Sequence, residues 1–244
     1  MQNLSRRFAN LQAEKFVPSW NLHTAHTERL LQQQEPSCLG IRDTNCFLFG
    51  NFVPDIYVGY MVKPVSRLIP YTTTHFSRVC IIPVPCAQAF WNAYIQPSVD
   101  QGEAVDDMVL GAWAHLVADG RYNANTRMWL DEKGIQKGEA ARIMKQGDFE
   151  KFGRTLYLTM KCQPTDALIA QGARFPQYKI EEEDIQKSIL VANGIVDATH
   201  TNHIPGTPKY ELFCSEWFER VGREVDEIVC AGLTRYAKSL KDNA

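Results

Sequence analysis

Residues 103–121, Glu103-Ala-Val-Asp-Asp-Met-Val-Leu-Gly-Ala-Trp-Ala-His-Leu-Val-Ala-Asp-Gly-Arg121, decide how the chain is read. Apolar side chains at Val105, Met108, Val109, Ala112, Leu116 and Val117 recur at helical spacing, which predicts a buried amphipathic helix. His115 and Asp119 stand one turn apart at the edge of its apolar stripe. A carboxylate so close to a core needs a partner, because unpaired burial is costly. Either a hydrogen bond to the histidine or to an arginine supplies it, or a metal ion gripped by both side chains does.

Outward from this helix, 244 residues suffice for one large core, and a single domain over 1–244 is expected. The composition, 45% hydrophobic and 22% charged with a net charge of -2, carries no basic excess, so bulk nucleic-acid binding is not expected. No apolar run is long enough to span a bilayer and the first residues lack a secretory apolar core, so a cytoplasmic protein without a transmembrane segment is expected. Seven cysteines with no C-x-x-C pair read as reduced, mostly buried thiols.

Toward the N-terminus, a short helix is expected over 3–16 and a second from about Ser19 or Asn21 to Gln34, carrying His23 and, a turn away, His26. The apolar segment 45–57 is broken by Gly50 and Pro54, and its Asp55 either caps a helix starting at Ile56 or binds something. Four prolines make residues 60–86 a long irregular connection, extended over Val79–Val84 and carrying His75. Helices are expected at Ala87–Tyr94, Phe149–Cys162, Asp166–Gln171, Ile180–Ala192 and Ser215–Lys238. The last has a stripe of Phe218, Val221, Val225, Ile228, Val229, Leu233 and Tyr236. Residues 122–129 continue the central helix or form a second short one. Residues 131–147 read as a solvated connection or exposed helix, and 197–208, with His200 and His203, as a polar loop. The fold class is all-α.

Three imidazoles and two carboxylates at His23, Asp55, His75, His115 and Asp119 would together suit a zinc site that keeps a water position. Their contexts, Leu22-His-Thr-Ala-His-Thr-Glu-Arg-Leu-Leu31, Phe47-Leu-Phe-Gly-Asn-Phe-Val-Pro-Asp-Ile56, Thr74-His-Phe76 and Leu110-Gly-Ala-Trp-Ala-His-Leu-Val-Ala-Asp119, resemble the bacterial zinc-dependent phospholipase C family over about residues 18–130. The pairing of His23 with Glu28 favours His23 over His26 as the early match. The resemblance implies a single-domain helical bundle of the phospholipase C and single-strand nuclease fold, with 131–244 divergent. It also implies zinc held by the five residues, and hydrolysis of a small-molecule or lipid phosphodiester by an activated water that Asp55 orients or deprotonates. The chain departs from the family in having Asn123 and Asn125 where a further histidine is expected, and no H-x-x-x-E. One or two zinc ions are therefore implied, not three. His26, Arg121, Asn123 and Asn125 are candidates for holding a phosphate or supporting the ligands, and His200 and His203 for replacement ligands. The alternative is a metal-binding or structural helical protein without turnover. A nucleotide phosphohydrolase of the HD type needs an adjacent His-Asp pair, which the chain lacks.

Overall fold

A computed structural model describes residues 20–242, so the helix expected over 3–16 lies outside the described residues. Within them the chain is all-α, with no strand. Helices α1 (Trp20–Gln33), α2 (Thr44–Gly50), α3 (Val53–Ile56), α4 (Tyr71–Thr74), α5 (Ala87–Tyr94) and α6 (Gln96–Asp100) lead to α7 (Asp107–Glu132). Then follow α8 (Glu139–Gly153), α9 (Asp166–Ala173), α10 (Glu182–Thr201) and α11 (Ser215–Asp242).

The central helix differs from the amphipathic one expected. Every residue from Asp107 to Asp119 is buried, so this half of α7 has no solvent face. Helices α2, α5 and α11 wrap it. The closest approach is to α2, where glycine meets glycine. A Cβ on Gly111 would stand 2.1 Å from the Phe47 carbonyl oxygen, and one on Gly50 would stand 2.3 Å from that of Met108. Only backbone fits here. Helix α7 runs unbroken through 122–129, so the continuous reading of that stretch holds.

The amphipathic helix is α11. Trp217, Phe218, Val221, Val225, Val229, Leu233 and Tyr236 form its inner face, and the Tyr236 hydroxyl accepts the Val105 N–H at 3.0 Å. Ile228, expected on the stripe, is 38% exposed because it lies beyond the edge of that face.

Long irregular segments have no sheet to satisfy their amides, and buried carboxylates do so instead. Asp107 takes the amides of Arg42 and Asp43, each at 3.0 Å, and Glu28 those of Thr159 and Met160, each at 2.6 Å. Asp148 takes those of Glu211, Leu212 and Phe213 at 2.6–3.0 Å. Asp148→Ala would orphan three amides in the core. It should cost about 3 kcal/mol, given about 1–3 kcal/mol per lost charge-assisted bond, and urea unfolding would measure it. An unchanged midpoint would mean that water replaces the carboxylate.

Several expectations need correction. The helix expected over Phe149–Cys162 ends at Gly153, where the Asn21 side chain fills the space a Cβ would need, and 156–165 is irregular. The stretch 131–147 is a turn followed by most of α8, which is partly buried. Residues 79–84 bend, with Ile82 at φ 58, and do not run extended. The loop expected from 197 starts only after Thr201, because α10 carries on through His200. All seven cysteines are free thiols, but only Cys46 and Cys162 are buried.

Candidate metal centre

Each of the five candidate residues is delivered by a different local device. His23 lies on α1, which is buried on all sides over Trp20–Glu28. Asp55 lies inside the single turn α3 and caps nothing; its Oδ2 accepts the Trp20 indole N–H at 3.0 Å. His75 ends α4, its amide bonded to the Tyr71 carbonyl and its carbonyl taking the Cys86 amide. The next residue, Phe76, sits at φ 49, a left-handed conformation costly for an aromatic residue, and its ring packs on Phe90 and Tyr94. His115 and Asp119 project from α7.

The structure brings all five together. The His75 and His115 Nε2 atoms are 3.1 Å apart, and His75 Nε2 is 3.4 Å from Asp55 Oδ1. Asp119 Oδ2 is 3.7 Å from both of these nitrogens, and its Oδ1 is 3.4 Å from His23 Nε2. The five are 0–4% exposed. His23 stacks on His115 at 4.0 Å, and half-buried Tyr71 stacks on His75 at 3.7 Å while donating its hydroxyl to Asp119.

Protons on these rings are constrained. His115 Nδ1 lies 2.7 Å from the Asn51 carbonyl, which can only accept, so Nδ1 carries hydrogen and neutral His115 presents a bare Nε2. His75 Nδ1 meets the Thr74 hydroxyl at 2.7 Å, which can donate or accept. His75 can thus share an Nε2–H with His115, or turn a bare Nε2 to the centre.

What the protein leaves unpaired is more telling. Both ring nitrogens of His23 and Asp119 Oδ1 are buried without a hydrogen bond, and among the described residues neither Asp55 nor Asp119 pairs with Arg or Lys. Burial, with His115 beside it, lowers His23 to about 4, so the ring is neutral near pH 7. Burial pushes the Asp119 and Asp55 carboxyls up, but the neighbouring imidazoles outweigh it and hold both below the usual carboxylate range. A metal-ligating imidazole is neutral, so with an ion bound the charge of this set would come from its two carboxylates, which a divalent cation would cancel.

A donor set fits an ion only if its spacing does. Zinc bonds of about 2.0–2.2 Å in a tetrahedron put ligand atoms about 3.3–3.6 Å apart. The closest separations here, 3.1–3.7 Å, lie near that range, and all ligand atoms of each possible trio lie within 4.8 Å of one another. His23, His115 and Asp119 form one possible trio and Asp55, His75 and His115 another. With Nδ1 committed to Asn51, His115 has a single lone pair to give, so the two trios cannot both be filled.

The weaker candidates lie elsewhere. His26 Nδ1 lies 2.6 Å from Asp226 Oδ1 and 2.8 Å from the Arg29 guanidinium, and its Nε2 lies 3.2 Å from the Tyr122 hydroxyl; the ring lines a cleft of about 330 Å³ with Arg29 and Phe218. Arg121 and Asn125 bond Glu224 where α7 meets α11. His200 donates to the Leu158 carbonyl at 2.6 Å, and His203 packs on Tyr157 at 4.2 Å. Asn123 lies beside Tyr71, whose hydroxyl reaches Asp119, and it accepts from a residue that the sequence reading missed, Lys145 on α8. Only a lysine on the apolar face of α8 could have signalled it, and the polar run around it hid that face.

Below pH 6.5 the unfolded chain takes up the His23 proton before the folded one does, since the folded value is about 4. Chelator-treated protein should therefore be fully stable above pH 6.5 and lose about 3 kcal/mol as pH falls toward 4. Burial lowers His26 as well, which adds in the same direction. Urea midpoints measured at intervals across that range would show the slope, and a flat profile would contradict it.

Compared with protein-family models, with curated proteins and with solved structures, the chain finds no match.

Proposed function

We propose that the chain is a zinc-dependent phosphodiester hydrolase whose metal is held by ligands drawn from His23, Asp55, His75, His115 and Asp119. One observation carries this reading: buried polar atoms on His23 and Asp119 that make no hydrogen bond and only a 3.4 Å contact with each other, with three other potential ligand groups around them. The nitrogen-rich set with carboxylates suits zinc, and the motif likeness to the zinc-dependent phospholipase C family points to phosphodiesters. Because His115 can serve only one ion, a single zinc is the expected content. When bound, zinc would supply positive charge that acidifies a water and offsets the charge growing on the phosphate oxygens.

The chain's own groups do the remaining work. Asp55 is clamped through Oδ2 by Trp20, so its free Oδ1 faces the centre and can hold the water and take its proton. Asn51 and Thr74 orient the His115 and His75 rings. Tyr71 covers the centre, so a substrate enters as this ring swings out.

That same cover favours a second reading, a zinc-binding protein without turnover, since no ligand is more than 4% exposed. The two separate cleanly in experiment. Protein purified without added metal should contain about one zinc by elemental analysis and hydrolyse at least one of a chromogenic diester, lipid headgroup diesters and nucleotides. Stoichiometric zinc with no turnover selects the second reading, and absence of zinc defeats both.

A further inference from the structure

Lys145 is 5% exposed, and among the described residues it makes no ion pair. Lysine is rarely buried without a counter-charge. Its ammonium donates to Asn123 Oδ1 and lies 5.1 Å from the Phe149 ring centre. Asn123 is one turn beyond Asp119 on α7, and its own Nδ2–H is spent on the Pro83 carbonyl at 2.8 Å, which turns Oδ1 toward the lysine. Two N–H groups of the ammonium are left over.

Charge then decides what they are for. The proposed centre, one divalent ion with Asp55, Asp119 and neutral imidazoles, sums to zero. Lys145 adds one positive charge; the Asp119 carboxylate is near enough to favour the ammonium but is already counted in that sum, and among the described residues no acid forms an ion pair with Lys145. Burial lowers the amine to about 8, so it is still mostly protonated near pH 7. A cation set beside a cation site needs an anion between them. A phosphodiester carries one negative charge, which would bring the sum to zero.

Resting on the zinc reading above, we propose that Lys145, oriented by Asn123, is the substrate's anion anchor, receiving a non-bridging phosphate oxygen. The step is one of binding alone, with no bond made or broken.

Diethyl phosphate, a non-hydrolysed monoanion, serves as probe in calorimetric titrations of zinc-loaded protein. Lys145→Met removes the charge at nearly constant volume, and Asn123→Asp supplies the ammonium with an internal counter-charge. Both should bind zinc as the parent protein does and bind diethyl phosphate about 10- to 100-fold more weakly, as expected for a lost charge-assisted bond. Lys145→Arg should stay within about fivefold of the parent, since the charge survives. Normal zinc binding with unchanged anion affinity in either Lys145→Met or Asn123→Asp would overturn the anchor alone, and so would a zinc-loaded parent that ignores the anion. If Lys145→Met fails to fold, Asn123→Asp decides. A parent protein that binds no zinc would overturn the zinc reading, and the anchor with it.

Discussion

Substitution of His115 by alanine should abolish zinc binding, whereas His26→Ala should leave the metal content unchanged. His115 belongs to both possible trios and is the residue whose free nitrogen is fixed by a backbone carbonyl. His26, one turn from His23 on α1, instead meets Asp226 and Tyr122. At a free zinc concentration 100 times the dissociation constant, the ion adds about 2.7 kcal/mol to stability. For a chain of this size that is roughly 5–10 °C in melting temperature. Zinc should raise the melting point of the parent and of His26→Ala by that amount, and leave His115→Ala where it was. A His115→Ala protein that still carries a full zinc would remove the basis for placing the ion here.

The larger structural effect is expected at Gly111. Alanine there would put a methyl group 2.1 Å from the Phe47 carbonyl oxygen and close to Gly50 Cα. Neither contact can be relieved by rotating a side chain, so α2 and α7 must part along a face that is otherwise fully packed. Overpacking of this kind, against backbone, should cost more than about 4 kcal/mol or prevent folding. Separation of the two helices would also pull Asn51 from His115, so any protein that survives should bind zinc more weakly. Gly147 is the control: it lies in α8 with nothing within 4 Å of its would-be Cβ. Gly147→Ala should stabilise the protein by about 0.5–1 kcal/mol through helix propensity and lost unfolded-state freedom. Equal melting temperatures for Gly111→Ala and the parent would show that the helix crossing has slack.

Helical periodicity revealed α1, α5, α7, α9 and α11 because each pairs a run of good helix formers with a clear apolar repeat. The five centre residues were legible for a different reason: each is a charged or imidazole side chain in apolar company, which a fold tolerates only with a partner. Misreadings arose where tertiary contacts override local pattern. The Phe149–Cys162 stretch looks helical, yet Asn21 occupies the space at Gly153, and Glu28 and Asn193 hold the following backbone extended. Glu28 shows the same effect from the other side. As a motif residue it pointed toward the metal, and its carboxylate is instead consumed by two backbone amides. Lys145 escaped notice because an acidic or basic neighbourhood conceals one buried member. Arg121 and Asn125 follow Asp119 closely in sequence, but helical rotation carries them to the α11 side.

Tyr71 lies flat on His75 with its hydroxyl on Asp119, and the donor atoms beneath it are closed to solvent. An ion bound there as proposed would have to pass Tyr71, so its exchange would be slowed by the need for the short α4 turn to move. Chelators added to the finished protein would work slowly even if they bind zinc more tightly, and thinning the cover at Tyr71 would shorten the wait without touching a single ligand.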